Sequence, residues 1–128
     1  MPTKVLVIDD DVIVTDMLKD TLEREDFKVF VTNSGSEGVK LTQQLTPDVI
    51  VLDLMMPGMN GWEACRAIRT FSQVPILILS AVIDSDLVMR ALDEGANDYI
   101  IKPVTTSVLS SRLKRLTRQE SITRNDNG

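Results

Sequence analysis

Histidine does not occur among the 128 residues of this sequence. Its absence removes His-based general-base catalysis, His metal ligands and phospho-histidine chemistry from this chain. Any phosphorylated imidazole must therefore be brought by a partner. Cysteine occurs once, as Cys65, so no intrachain disulfide can form, which fits a reducing compartment. No apolar run approaches the ~18 residues of a membrane span. Met1-Pro-Thr-Lys runs straight into a strand-like segment, without the pattern of a signal peptide. Together these points set a cytoplasmic location and no membrane association as the expectation. Basic charge is also the scarcer sign, with 14 Lys plus Arg against 19 Asp plus Glu and a formal net charge of −5. Phosphate backbones require a basic face, so direct nucleic-acid binding by this domain is not expected. A linked domain that binds DNA is compatible with that balance.

What the chain does contain is enough apolar material, 43%, for the core of one compact domain. Short β-branched runs alternate with helical spacing. The runs are Lys4–Ile8, Phe27–Thr32, Asp48–Leu52, Pro75–Leu79 and Tyr99–Ile101. Most are apolar almost throughout, as parallel strands covered on both faces are. Val14, Leu18 and Leu22 mark a first helix. Ser34-Gly35-Ser36-Glu37 reads as a capping box that opens a second. A third runs from Trp62 to about Thr70, Val88 and Leu92 mark a fourth stopped by Gly95, and Leu109, Leu113 and Leu116 mark a fifth. The order (βα)5 implies an α/β fold, a doubly wound five-stranded parallel sheet with right-handed crossovers. We place the domain at residues 1–119. Residues 120–128, polar and without pattern, read as a tail or the start of a linker.

In such sheets ligands bind beyond the carboxyl ends of the strands. Four strand ends carry polar groups there: Asp9-Asp10-Asp11, Asp53, Ser80 and Lys102. Clustered carboxylates repel one another or recruit a cation, and oxygen-only ligands suit a hard ion such as Mg²⁺. A carboxylate beside such an ion and an ammonium is a credible nucleophile toward a phosphoryl group. Taken singly, each residue has an ordinary alternative. Asp11 reads as a helix N-cap, a strand-end Ser as a turn former and Lys102-Pro103 as surface. Trp62 reads as packing at a helix start rather than ligand stacking, and Met55, Met56 and Met59 as loop packing.

The segments VLVIDDD (Val5–Asp11), PDVIVLDLMMPGMNG (Pro47–Gly61), PILILSA (Pro75–Ala81) and GANDYIIKP (Gly95–Pro103) resemble, in this order, the response-regulator receiver domain of two-component systems. The resemblance runs from about Lys4 to Arg118. It implies a flavodoxin-like sheet of order 2-1-3-4-5 and a switch rather than a turnover enzyme. By position, it makes Asp53 the phosphoacceptor. Asp10 becomes a direct Mg²⁺ ligand, Asp9 a ligand mainly through water, and Met55 a ligand through its backbone carbonyl. Lys102 would pair with Asp53 before reaction. Ser80 would bind the phosphoryl oxygen, Ala81 would leave the approach open, and Tyr99 would act as an aromatic switch. A cis Lys102–Pro103 bond is implied as well. Met55 and Val82 stand where receivers tune phosphoryl lifetime.

The implied partner is a histidine kinase or phosphotransfer protein. One large DNA-binding subgroup dimerises through its fourth helix, fifth strand and fifth helix. Arg90, Asp98, Arg112 and Lys114 fall at charged positions of that face, whereas Val104 and Val108 depart from its pattern. A C-terminal output domain and a stand-alone receiver both remain open. Two rivals are weighed as well. An aspartyl phosphatase would want an acid two residues after the nucleophile, where Met55 stands, and a cap insertion that this chain lacks. A pseudo-receiver, an interaction module never phosphorylated, usually loses the acceptor, an acidic partner or the Lys, all present here.

Overall fold

A computed structural model describes residues 1–126, with side chains through Arg118. Five strands form one parallel sheet in the order β2-β1-β3-β4-β5: β1 (Lys4–Ile8), β2 (Lys28–Thr32), β3 (Val49–Leu52), β4 (Ile76–Ser80) and β5 (Asp98–Ile101). The five helices are α1 (Val12–Glu23), α2 (Gly35–Leu45), α3 (Gly61–Arg69), α4 (Ser85–Asp93) and α5 (Thr106–Asp126). The α/β order and strand order are those expected. The expected tail over residues 120–128 falls where no side chain is described, and Asn127 and Gly128 lie outside the described residues altogether.

Successive side chains of a strand point to opposite faces, which explains runs that are apolar throughout. Leu6, Ile8, Ile50, Leu52, Ile76 and Ile78 face one side and pack with Trp62, Ala64, Cys65 and Ile68 of α3 and Ala91 of α4. Val5, Val7, Val49, Val51, Leu77 and Leu79 face the other and pack with Leu18 and Leu22 of α1 and Leu109, Leu113 and Leu116 of α5. Central strands therefore contribute to both layers.

Two local expectations are corrected. Ser34 does cap α2, accepting from the Glu37 N–H at 3.3 Å, but the reciprocal half of the box does not form there. The Ser34 N–H faces the Thr32 hydroxyl instead. A complete capping box stands at the start of α3, where Asn60 accepts from Glu63 N–H at 2.9 Å and the Glu63 carboxylate accepts from Asn60 N–H at 3.1 Å. In α4 the buried residue is Ala91, while Leu87, Met89 and Leu92 are exposed. The apolar spacing of Val88 and Leu92 found the helix but not its inner face.

Candidate functional site

The carboxyl ends of β1, β3, β4 and β5 converge on one rim. Asp9 and Asp53 are buried there and Asp10 is exposed, and one carboxylate oxygen from each lies within 4.8 Å of the others. The Asp53 N–H donates to the Ile8 carbonyl at 2.9 Å, tying the end of β3 to β1. Its Oδ1 accepts from the Leu54 N–H at 2.8 Å, so that oxygen is held by the backbone. Gly61 packs against the same turn: a Cβ there would stand 2.2 Å from the Asp53 carbonyl oxygen. Only glycine permits that approach.

The ammonium of Lys102 meets Asp53 as expected, but as the more distant of two carboxylate partners. It donates to Asp9 Oδ2 at 2.7 Å and stands 3.8 Å from Asp53 Oδ2. Asp9 is thus the nearer partner, while its other oxygen accepts from the Asp11 N–H at 2.9 Å. Burial pushes the Asp53 carboxyl up from the usual range, and the charge of Asp9 adds to that, with Lys102 opposing. Burial works against the Lys102 charge, but its hydrogen bond to Asp9 and the charges of Asp53, Asp9 and Asp11 prevail and raise its pKa.

Ser80 is buried at the end of β4, and its hydroxyl accepts from the Val82 N–H at 3.3 Å. The Tyr99 ring is partly buried against the α3 side of the sheet, and its hydroxyl donates to the Val82 carbonyl at 2.6 Å. Burial raises the Tyr99 pKa, and the Asp53 charge acts in the same direction. Ala81 and Met55 are exposed beside the rim, and the Lys102–Pro103 bond is cis. Asp11 takes the expected N-cap of α1, accepting from Ile13 N–H and Val14 N–H. Met56 is buried, but Met55 is not, so the expected methionine packing holds for only part of that group.

Three carboxylates offering oxygen alone, one of them open to solvent, suit a hard divalent cation. Asp10 contributes an exposed charge with room for retained waters, which is how Mg²⁺ is usually held.

A family model for the response regulator receiver domain matches residues 5–114. The chain belongs to this family. Among curated proteins this receiver domain is similar to the transcriptional regulatory protein AfsQ1 of Streptomyces coelicolor, 43% identical over 119 residues, covering 93% of this chain and 52% of that protein. It is likewise similar to the DNA-binding response regulator MtrA of Mycolicibacterium smegmatis, 41% identical over 121 residues, covering 94% and 53%. The chain spans about half the length of the curated relatives it matches. Among solved structures, the chemotaxis protein CheY4 of Vibrio cholerae superposes with a TM-score of 0.86 at 30% identity, covering 91% of this chain and 99% of that one. A receiver domain from Clostridium thermocellum superposes with 0.89 at 29% identity, covering 94% and 98%. The receiver domain is thus a signalling module of two-component response regulators. No helix among the described residues is long and apolar enough to cross a membrane.

Of the four residues read as a possible dimer face, three are engaged within the chain. Asp98 accepts from Arg112 at 2.9 Å and lies 3.5 Å from Arg115. Arg90 stacks over the Trp62 ring at 5.2 Å, and Lys114 is exposed. The sequence reading missed Arg115, the Trp62 indole N–H that donates to the Leu87 carbonyl at 3.1 Å, and Asn33 at the end of β2. For Asn33 a signal existed: the strand-end rule applied to four strands applies to the fifth as well.

Proposed function

We propose that Asp53 accepts a phosphoryl group from a phospho-histidine of a partner kinase or phosphotransfer protein. The observation that carries this is the ammonium of Lys102 standing between Asp9 and Asp53, with Asp10 beside them. Asp53 Oδ1 is held by Leu54, which leaves Oδ2 as the attacking oxygen. Its bond to phosphorus forms as the donor's P–N bond breaks, giving an acyl phosphate and a free imidazole. Asp9, Asp10, Asp53 and the Met55 carbonyl would hold Mg²⁺, which when bound neutralises charge on the transferring oxygens.

Lys102 then turns from Asp9 toward the new phosphoryl oxygens, and Ser80 exchanges the Val82 N–H for one of them. That exchange loosens the Val82 segment on which the Tyr99 hydroxyl also rests, so the β4–α4 connection senses the modification. Met55 and Val82 have no polar side-chain atom to align an attacking water, so the acyl phosphate decays slowly. The names of the curated relatives favour a longer regulator with a C-terminal DNA-binding domain. Exposed Leu87, Ile101 and Val108 on α4, β5 and α5 suit a phosphorylation-favoured homodimer. A cytoplasmic location fits the lone cysteine.

Incubation with acetyl phosphate and Mg²⁺, read by intact mass, tests the proposal. One phosphoryl group is expected, absent in EDTA and in Asp53→Asn. A wild-type protein that stays unmodified while a control receiver reacts would support a pseudo-receiver instead.

A further inference from the structure

We infer that Asn33 is a positioning residue for the acidic loop, holding the peptide unit from which the Asp10 carboxylate departs. This rests on the reading that Asp9 and Asp10 hold the metal. Asn33 is the first residue after β2, and its side-chain nitrogen donates to the Asp9 carbonyl at 2.8 Å and to the Thr15 hydroxyl at 3.0 Å. A carbonyl can only accept, so the nitrogen end of the amide must face it. Thr15 is buried in α1 and its hydroxyl donates onward to the Val12 carbonyl at 3.1 Å. A chain of side-chain bonds thus runs from the end of β2, across the β1–α1 turn, into the first turn of α1.

The Asp9 carbonyl belongs to the planar peptide that joins Asp9 to Asp10. Fixing its oxygen fixes the plane, and the plane sets the direction in which Asp10 leaves the backbone. Asp9 itself is also held through its N–H, which donates to the Thr32 carbonyl at 3.2 Å, and through its carboxylate on Lys102. Asp10, by contrast, is exposed and has little packing to orient it. Two bonds bracket its backbone: the one from Asn33 holds the peptide before Asp10, and the Asp11 N–H bond to Asp9 Oδ1 holds the peptide after it. Groups that orient ligands in this way commonly govern metal affinity.

Calorimetric titration with MgCl₂, without phosphodonor, on wild type, Asn33→Ala, Asn33→Asp, Thr15→Val and Thr15→Ser decides this, with melting in EDTA alongside. Asn33→Ala should weaken Mg²⁺ binding roughly ten-fold, with little change in melting temperature, because the side chain is exposed. Asn33→Asp adds a negative charge near the site, which alone would tighten Mg²⁺ binding. It cannot donate to Asp9, so positioning predicts weaker binding. Thr15→Val should weaken binding less than Asn33→Ala, and Thr15→Ser should match wild type. Unchanged affinity in Asn33→Ala, tighter binding in Asn33→Asp, or a large fall in melting temperature that accounts for the affinity loss would each overturn the inference alone. A wild-type protein that binds no Mg²⁺ would overturn the metal-site reading and this inference with it.

Discussion

Lys102 donates to Asp9 at 2.7 Å, more than an ångström nearer than its approach to Asp53 at 3.8 Å. In the unphosphorylated domain the ammonium is held by the acidic residue that is not the proposed acceptor. Asp53 is thereby only partly neutralised, through the longer of the two ion pairs, and keeps Lys102 within reach after reaction.

Replacing Lys102 by Met should expose that arrangement. Asp9 is buried and would lose a charged partner, at a cost of roughly 2 kcal/mol. Denaturant unfolding in EDTA should show the loss. Added Mg²⁺ should restore more stability to Lys102→Met than it adds to wild type, because three carboxylates then lack a cation.

The raised pKa of Asp53 has a defined sign. Its unfolded value is near 3.8 and its folded value is higher, so the native state binds more protons across that window. Stability from this group is therefore lost as pH rises from the unfolded value through the folded one. Asp53→Asn should melt above wild type at neutral pH in EDTA, and the difference should close as pH falls toward 3.8.

Two glycines after β3, Gly58 in the loop and Gly61 at the start of α3, should respond differently to alanine. At Gly61 a Cβ would press on backbone, 2.2 Å from the Asp53 carbonyl and 2.6 Å from the Leu54 Cα. Gly61→Ala should cost roughly 3 kcal/mol, since backbone must shift. Gly58 has φ of +71° with nothing within 4 Å of a Cβ. Its substitution should cost about 1 kcal/mol from backbone conformation alone. Urea unfolding of both variants checks the contrast.

The sole tryptophan ties α3 to α4. Trp62→Phe keeps an aromatic ring but removes both the N–H that reaches the Leu87 carbonyl, worth about 1 kcal/mol, and part of the buried indole volume. Amide hydrogen exchange should rise in α4, whose one buried residue is Ala91, and stay near wild type in α5.

What could be read from sequence follows from what each pattern encodes. Val5 to Ile8 and Ile76 to Leu79 are apolar on both faces, and that alone marks central parallel strands. Leu109, Leu113 and Leu116 found the inner face of α5 because that helix packs deeply. In α4 the same reasoning chose Val88 and Leu92 over Ala91, because the helix rests on α3 through a small residue and leaves larger ones outside. Asp9, Asp53, Ser80 and Lys102 were placed on one rim by strand order. Which oxygen the ammonium prefers is a matter of ångströms that no spacing carries. Arg112 and Asp98 were both read as part of a possible dimer face, and that they also pair with each other across 14 positions is something no spacing carries. Asn33 went unread because the strand-end rule that found Lys102 was not carried to the end of β2.

The central claim is chemical, and one measurement addresses it most directly. Phosphorylated protein can be reduced with borohydride, which converts an aspartyl phosphate to homoserine, and then mapped by peptide mass spectrometry. The account predicts homoserine at position 53 and nowhere else. Homoserine at Asp9 or Asp10, or a borohydride-resistant phosphate on Ser80, would contradict it.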